Sequence, residues 1–148
     1  MTAHRILLAD PDDRLLAAHR TYLAQNGYLV AACSDALQCV DLLRSFRPDL
    51  LVLDPDLPWG QGEGVLSLMA DGDLPAVPVV VLTCGPCPDR LAPAGRYPVW
   101  SVLAKPVPPR RLADNIRWAF AAGAGYNHVP PAACRLDPWA AGGAPNGR

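Results

Sequence analysis

Hydrophobic positions along this chain fall into two rhythms. Ile6–Ala9, Tyr28–Cys33, Leu50–Leu53, Val77–Leu82 and Val99–Leu103 are short runs rich in Val, Ile, Leu and small residues. Runs without polar alternation suit strands buried on both faces, as in a parallel sheet covered by helices. The stretches between them are helical in pattern. Asp12 or Asp13 caps a helix carrying Leu15, Leu16, His19, Tyr22 and Leu23, and Asn26-Gly27 stops it. Ser34 or Asp35 caps a second, with Leu37, Val40, Leu42 and Leu43 as its apolar stripe before Pro48 ends it. Pro55, Pro58, Gly60, Gly62 and Gly64 shape a loop that leads into a short helix bearing Val65, Leu66, Leu68 and Met69. Pro108-Pro109 opens a last helix with Leu112, Ile116, Trp118, Ala119 and Phe120. Between Cys84 and Val99, Pro86, Pro88, Pro93, Gly95 and Pro98 argue against a regular helix, so the fourth of five β/α units is expected to be degenerate.

Four polar residues stand where apolar runs end: Asp10, Asp54, Thr83 and Lys105. In open α/β sheets ligands bind outside the carboxyl ends of the strands, so the arrangement gathers these side chains at one edge. Together they make a phosphoryl-acceptor pocket. Asp54 supplies a nucleophilic carboxylate, Asp10 an oxygen for a hard divalent cation, Thr83 a short hydroxyl donor and Lys105 a flexible point charge. Taken singly, each has an ordinary reading as a loop acid, strand-end hydroxyl or solvated cation. The four in register favour the pocket.

Composition changes the picture mainly by exclusion. The 148 residues suit one domain with its own core. A net charge of -1, from 13 basic and 14 acidic residues, provides no general field for nucleic acid. No apolar stretch approaches the roughly 18 residues of a spanning helix, so no membrane role and a cytoplasmic location are expected. Five cysteines form no closely spaced framework, which favours a reducing compartment. In residues 121–148, 17 of 28 are Ala, Gly or Pro. The expected organisation is a domain over residues 1–122 and a tail over 123–148, docked on the body through Leu136 and Trp139.

ILLADPDD at 6–13, RPDLLVLDPDLP at 47–58, VVVLT at 79–83 and AKP at 104–106 give the chain a resemblance to bacterial response-regulator receiver domains from Thr2 to about Ala122. The resemblance implies a flavodoxin-like five-stranded parallel sheet of order 2-1-3-4-5, and an Asp54 that takes phosphate from a histidine kinase or phosphotransfer protein. It implies Mg²⁺ held by Asp10, Asp54 and the Asp56 carbonyl, with Thr83 and Lys105 on the phosphoryl group. A cis Lys105-Pro106 peptide and protein output partners, including a second copy of the chain, follow from it too. Enzymatic activity is at most Mg²⁺-dependent self-phosphorylation and autodephosphorylation.

Several positions depart from the pattern. Receivers usually carry adjacent acids after the first strand, whereas here Pro11 follows Asp10. Asp12 or Asp13 can replace the lost oxygen only by turning inward. Pro55 removes a backbone N–H beside Asp54. Val102 stands where the family places Tyr or Phe, leaving Tyr97 or Trp100 to supply a surface role. Weak Mg²⁺ binding is expected, and a phosphate-independent pseudo-receiver adaptor is the alternative. Cys84-Gly85-Pro86-Cys87 matches a thioredoxin-like CGPC string, but Thr83 precedes it and Pro88 follows. A regulatory Cys84–Cys87 disulfide is the second alternative. Cys33, Cys39, Cys134, His19 and His128 read as independent residues, His19 as a helix-packing one, and Arg110, Arg111 and Arg117 as a solvated face.

Overall fold

The computed structural model describes residues 3–84, 97 and 99–122. Strands β1 (Arg5–Ala9), β2 (Leu29–Cys33), β3 (Leu50–Leu53), β4 (Val79–Thr83) and β5 (Val99–Ala104) form one parallel sheet ordered β2-β1-β3-β4-β5. Helices α1 (Asp13–Gln25), α2 (Ala36–Ser45), α3 (Gln61–Ala70) and α4 (Pro109–Ala121) complete the described architecture. The expected degenerate helix after Cys84, the Cys84–Cys87 pairing and the docked tail fall outside the described residues.

Side-chain alternation explains why the strands read as unbroken apolar runs. Leu7, Ala9, Leu51, Leu53, Val79 and Val81 point to one face and join Cys39, Leu43, Val65, Leu66 and Met69 of α2 and α3. Ile6, Leu8, Leu50, Val52, Val80 and Leu82 point to the other and meet Leu16, Leu23, Leu112 and Ile116 of α1 and α4. Each strand therefore feeds two cores. Among the described residues the outer strand β2 is the loosely covered one, with Leu29 half exposed.

Helix starts follow from the available oxygens. The Asp12 side chain accepts from Arg14 N–H and Leu15 N–H, and that of Asp35 accepts from Gln38 N–H, so Asp12 rather than Asp13, and Asp35 rather than Ser34, serve as caps. Pro109 occupies the first turn of α4, where its missing N–H costs nothing. Helix α1 ends at Asn26, with Gly27 at φ 92°, a conformation glycine adopts without steric cost.

Several boundaries differ from the sequence expectation by a residue or two. β4 starts at Val79 because Pro78 has no N–H to donate; its carbonyl still accepts from Leu51 N–H at 3.0 Å. Thr83 lies inside β4, paired with Ala104, rather than after it. Helix α2 stops at Ser45, before Pro48, because Arg47 takes a left-handed φ of 52°. A register shift opposite Val79 and Val80 puts an extra residue into β5. Trp100 consequently packs edge-on against Trp118 of α4 while Ser101, its neighbour, bonds Asn115 of the same helix at 2.8 Å.

Candidate functional site

Asp10, Asp54 and Lys105 are each anchored by one backbone bond that carries the sheet ladder a step beyond a strand, and Thr83 by its pairing within β4. Asp10 N–H donates to Cys33 carbonyl at 3.1 Å, Asp54 N–H to Ala9 carbonyl at 2.9 Å, and Lys105 N–H to Thr83 carbonyl at 2.8 Å. Parallel strands in this order therefore deliver Asp10, Asp54, Thr83 and Lys105 to one sheet edge, as expected. The Lys105-Pro106 peptide is cis, also as expected.

The side chains converge. Lys105 Nζ lies 2.7 Å from Asp10 Oδ2 and 2.6 Å from Asp54 Oδ2. Both acids are nearly buried, and the ammonium bridges them. Burial raises the Asp10 pKa, with the Lys105 contact opposing that effect. For Lys105, burial works against the charge, but bonds to Asp10 and Asp54 outweigh it and raise the pKa. Two carboxylates around one ammonium leave an excess of negative charge, which suits an oxygen-seeking divalent cation. Asp10 and Asp54 are the two carboxylates that would face such a cation, and among the described residues no third His, Cys, Asp or Glu side chain joins them to complete a metal-holding group.

The loops supply further polar groups. Asp56 N–H donates to Asp54 Oδ1 at 2.7 Å, taking the part of the N–H that Pro55 lacks, while the Asp56 residue itself is exposed. Asp12 N–H donates to Asp10 Oδ1 at 2.9 Å. The Asp12 carboxylate is committed to the helix cap, and Asp13 lines a separate cleft between α1 and α2. Neither turns inward to replace the acid displaced by Pro11.

Sequence reasoning missed three supports. Gly62 lets α3 pass against the Asp54 loop: a Cβ there would lie 2.8 Å from Pro55 Cα and 2.9 Å from Asp54 carbonyl oxygen. Its N–H also donates to Pro55 carbonyl at 2.9 Å. The motif of alternate glycines was visible, but not which one touches backbone. His19 is buried in α1, and its Nε2 lies 2.9 Å from Val107 carbonyl, tying α1 to the loop that carries Lys105. Burial lowers its pKa, so the neutral ring is favoured and Nε2 is the donor to that carbonyl. Finally, Cys33 and Cys39, expected to be independent, are both buried in the core that α2 and α3 share.

The output positions also need correction. Tyr97 and Trp100 do not supply a surface group; both are buried, Tyr97 with its hydroxyl 3.3 Å from Ser67 Oγ and Trp100 beneath Trp118. The bulge in β5 turns Trp100 inward, which spacing from Lys105 does not reveal. Arg110 and Arg117 are exposed, and Arg117 pairs with Asp114 at 3.2 Å, as a solvated helix face requires.

A family model for the response regulator receiver domain matches residues 6–117. The chain belongs to this family. The response regulator MprA of Mycobacterium avium (strain 104) is 39% identical over 80 residues, which cover 53% of this chain and 34% of that protein. MprA of Mycobacterium tuberculosis (strain ATCC 25618 / H37Rv) matches to the same extent. The chain thus spans about a third of the length of these relatives. Among solved structures, the signal receiver domain of an HD domain-containing protein from Pseudomonas fluorescens Pf-5 aligns with a TM-score of 0.72 at 25% identity, covering 82% of this chain and 97% of that one. Chemotaxis response regulator CheY4 of Vibrio cholerae aligns with a TM-score of 0.69 at 19% identity, covering 79% and 98%, and supports the fold alone.

As a receiver domain the chain is a component of two-component signalling, a setting in which such domains meet histidine kinases or phosphotransfer proteins and bind Mg²⁺ at their acidic pocket. Among the described residues no helix is long and apolar enough to cross a membrane.

Proposed function

We propose that this receiver accepts a phosphoryl group on Asp54, inefficiently, and acts through protein contacts. The convergence of the Asp10 and Asp54 carboxylates on Lys105 Nζ within 2.7 Å carries the reading. An Asp54 oxygen attacks phosphorus in line; the new O–P bond forms as the P–N bond to a donor imidazole, or the P–O bond of an acyl phosphate, breaks and its electron pair leaves with the donor. Lys105 then exchanges carboxylate for phosphoryl oxygen, and the Asp56 N–H and Thr83 hydroxyl serve as donors to the remaining oxygens. Bound Mg²⁺ would neutralise charge shared by the acids and the incoming group. Pro11 in place of an acid, together with the commitment of Asp12 and Asp13 elsewhere, leaves this cation with fewer carboxylates and makes labelling slow.

Incubation with a small acyl phosphate over a range of Mg²⁺ concentrations tests the reading by intact mass. The expected product is one base-labile phosphoryl group, absent in Asp54→Asn, less persistent in Lys105→Ala and increased in Pro11→Asp. Persistent absence of labelling with several donors would overturn it in favour of a pseudo-receiver adaptor. Unaltered partner binding by Asp54→Asn would mark that alternative directly.

A further inference from the structure

His19 shares the buried side of α1 with Leu16 and Leu23, in a core that is otherwise largely apolar. A leucine would fill that place. The imidazole instead sets Nε2 2.9 Å from the Val107 carbonyl. Val107 stands two residues past Lys105, in a stretch poor in donors of its own. Pro106, Pro108 and Pro109 have no N–H, so of residues 106–109 only Val107 can donate from its backbone. The first amides of α4 turn to a different acceptor: Arg111 and Leu112 N–H donate to the Pro108 carbonyl at 3.0 and 3.1 Å. The Val107 carbonyl takes its donor from α1 instead.

We propose that His19 is a positioning residue for Lys105, and that its Nε2–H bond to the Val107 carbonyl holds the lysine backbone where the ammonium reaches the pocket. Lysine carries its charge on a flexible four-carbon stem, so the stem alone does not aim it. The backbone must do so. Lys105 N–H is tied to β4 through the Thr83 carbonyl at 2.8 Å, and the loop that follows is tied to α1 through His19. Held from both directions, the residue delivers Nζ to 2.7 Å from Asp10 Oδ2 and 2.6 Å from Asp54 Oδ2. Helix α1 is itself fastened to the pocket, because Asp12 caps it while Asp12 N–H donates to Asp10 Oδ1 at 2.9 Å. The bonds make a circuit from Asp10 through α1 and the lysine loop back to Asp10.

The tautomer agrees with this role. His19 Nδ1 is buried with no hydrogen-bond partner among the described residues, so the ring proton belongs on the nitrogen that has an acceptor. During phosphorylation Lys105 must release the Asp54 carboxylate and turn to a phosphoryl oxygen. The tie through His19 persists through that exchange. This consequence rests on the phosphoacceptor reading; the positioning of Lys105 does not.

Lys105 is the single lysine of the chain, so protein carrying ¹⁵N-lysine reports one side-chain ammonium, and no phosphate is needed to read it. His19→Leu is expected to shift that signal and to speed its proton exchange about fivefold, the weight of one ordinary hydrogen bond. His19→Gln, whose side-chain amide can donate to the same carbonyl, should stay near the parent chain. Where Asp54 is labelled by an acyl phosphate, the phosphoryl group should decay about fivefold faster in His19→Leu and not in His19→Gln. Ser101→Ala, which loses a buried bond to α4 on the same sheet face but none to the lysine loop, should leave both readouts unchanged.

Histidine ¹⁵N shifts of the unaltered chain check the bond even if His19→Leu fails to fold: His19 should be protonated on Nε2 and bare on Nδ1. The opposite tautomer would overturn the proposal. So would parent-like ammonium exchange in His19→Leu, or equal impairment in His19→Gln, which would mean that ring volume and not the donor is at work. An ammonium that responds to His19→Leu in a chain whose Asp54 takes phosphate from no donor removes the phosphoacceptor reading and leaves the role of His19 standing. A labelled Asp54 beside an ammonium unmoved by His19→Leu does the reverse.

Discussion

The two faces of the sheet are built from the same strands but carry different chemistry. The α2/α3 face buries Leu7, Leu51, Leu53, Val65 and Leu66 with two thiols, the Met69 thioether and the Tyr97 hydroxyl, which lies 3.3 Å from Ser67 Oγ, as its polar or polarisable company. The α1/α4 face buries comparable apolar groups but also His19, Ser101 and Asn115, and each of these has a partner: Val107 carbonyl for His19, and Ser101 and Asn115 for each other. The polar face is the one that holds the loop after Lys105. Hydrogen bonds fix direction where apolar contact does not, so the face that positions the pocket lysine has the larger set of buried polar side chains and the opposite face relies mainly on shape.

The largest effects should not distinguish the faces. Leu51→Ala and Leu8→Ala each remove a fully enclosed side chain, one from each core, and each should cost about 2–5 kcal/mol in denaturant unfolding. A loss below about 1 kcal/mol at Leu8 would mean that the α1/α4 core is loosely packed and relies on its polar bonds. Gly62→Ala comes next, at about 1–3 kcal/mol, because the new methyl meets Pro55 and Asp54 backbone rather than a yielding side chain. It should also slow acyl-phosphate labelling of Asp54, whereas Gly64→Ala, with open space around its Cβ position, should not.

Polar substitutions sharpen the contrast. Ser101→Ala strands the Asn115 carbonyl oxygen in the interior and should cost about 1–3 kcal/mol, while the pair Ser101→Ala with Asn115→Leu should recover much of that loss. Equal losses in the single and double variants would show that the bond acts through packing instead. The smallest effect is a pH dependence. Burial lowers the His19 pKa below its ordinary 6.5, so the unfolded chain binds a proton that the folded chain resists. The stability contributed by neutral His19 is fully present above pH 6.5 and is lost as pH falls through the lower folded value. His19→Gln should flatten the stability curve in that window. A curve that keeps its slope would assign the dependence to other groups.

Much of the site was legible because strand ends and apolar runs are local features. Asp10, Asp54, Thr83 and Lys105 could be grouped from spacing, since parallel strands ending at one edge leave little freedom in where the next residue goes. Spacing did not reveal which acid caps α1, because Asp12 and Asp13 offer the same oxygen one residue apart, and only the direction of the chain leaving Pro11 chooses between them. Nor did it reveal Trp100 as buried, since the extra residue in β5 reverses the alternation from which a face is inferred.

By itself the sequence determined the order and type of the elements, the sheet edge that carries the chemistry and the identity of the phosphoacceptor candidate, because these depend on runs of hydrophobicity, capping groups and turn residues within a few positions of one another. The tertiary structure alone decided that Lys105 bridges both acids, that Gly62 must lack a side chain, that His19 braces the lysine loop and that Cys33 and Cys39 share one core. Those four facts involve side chains from separate elements or a strand and the helix after it. Their separations are set by how the helices settle on the twisted sheet, and no local pattern in the chain encodes a distance of that kind.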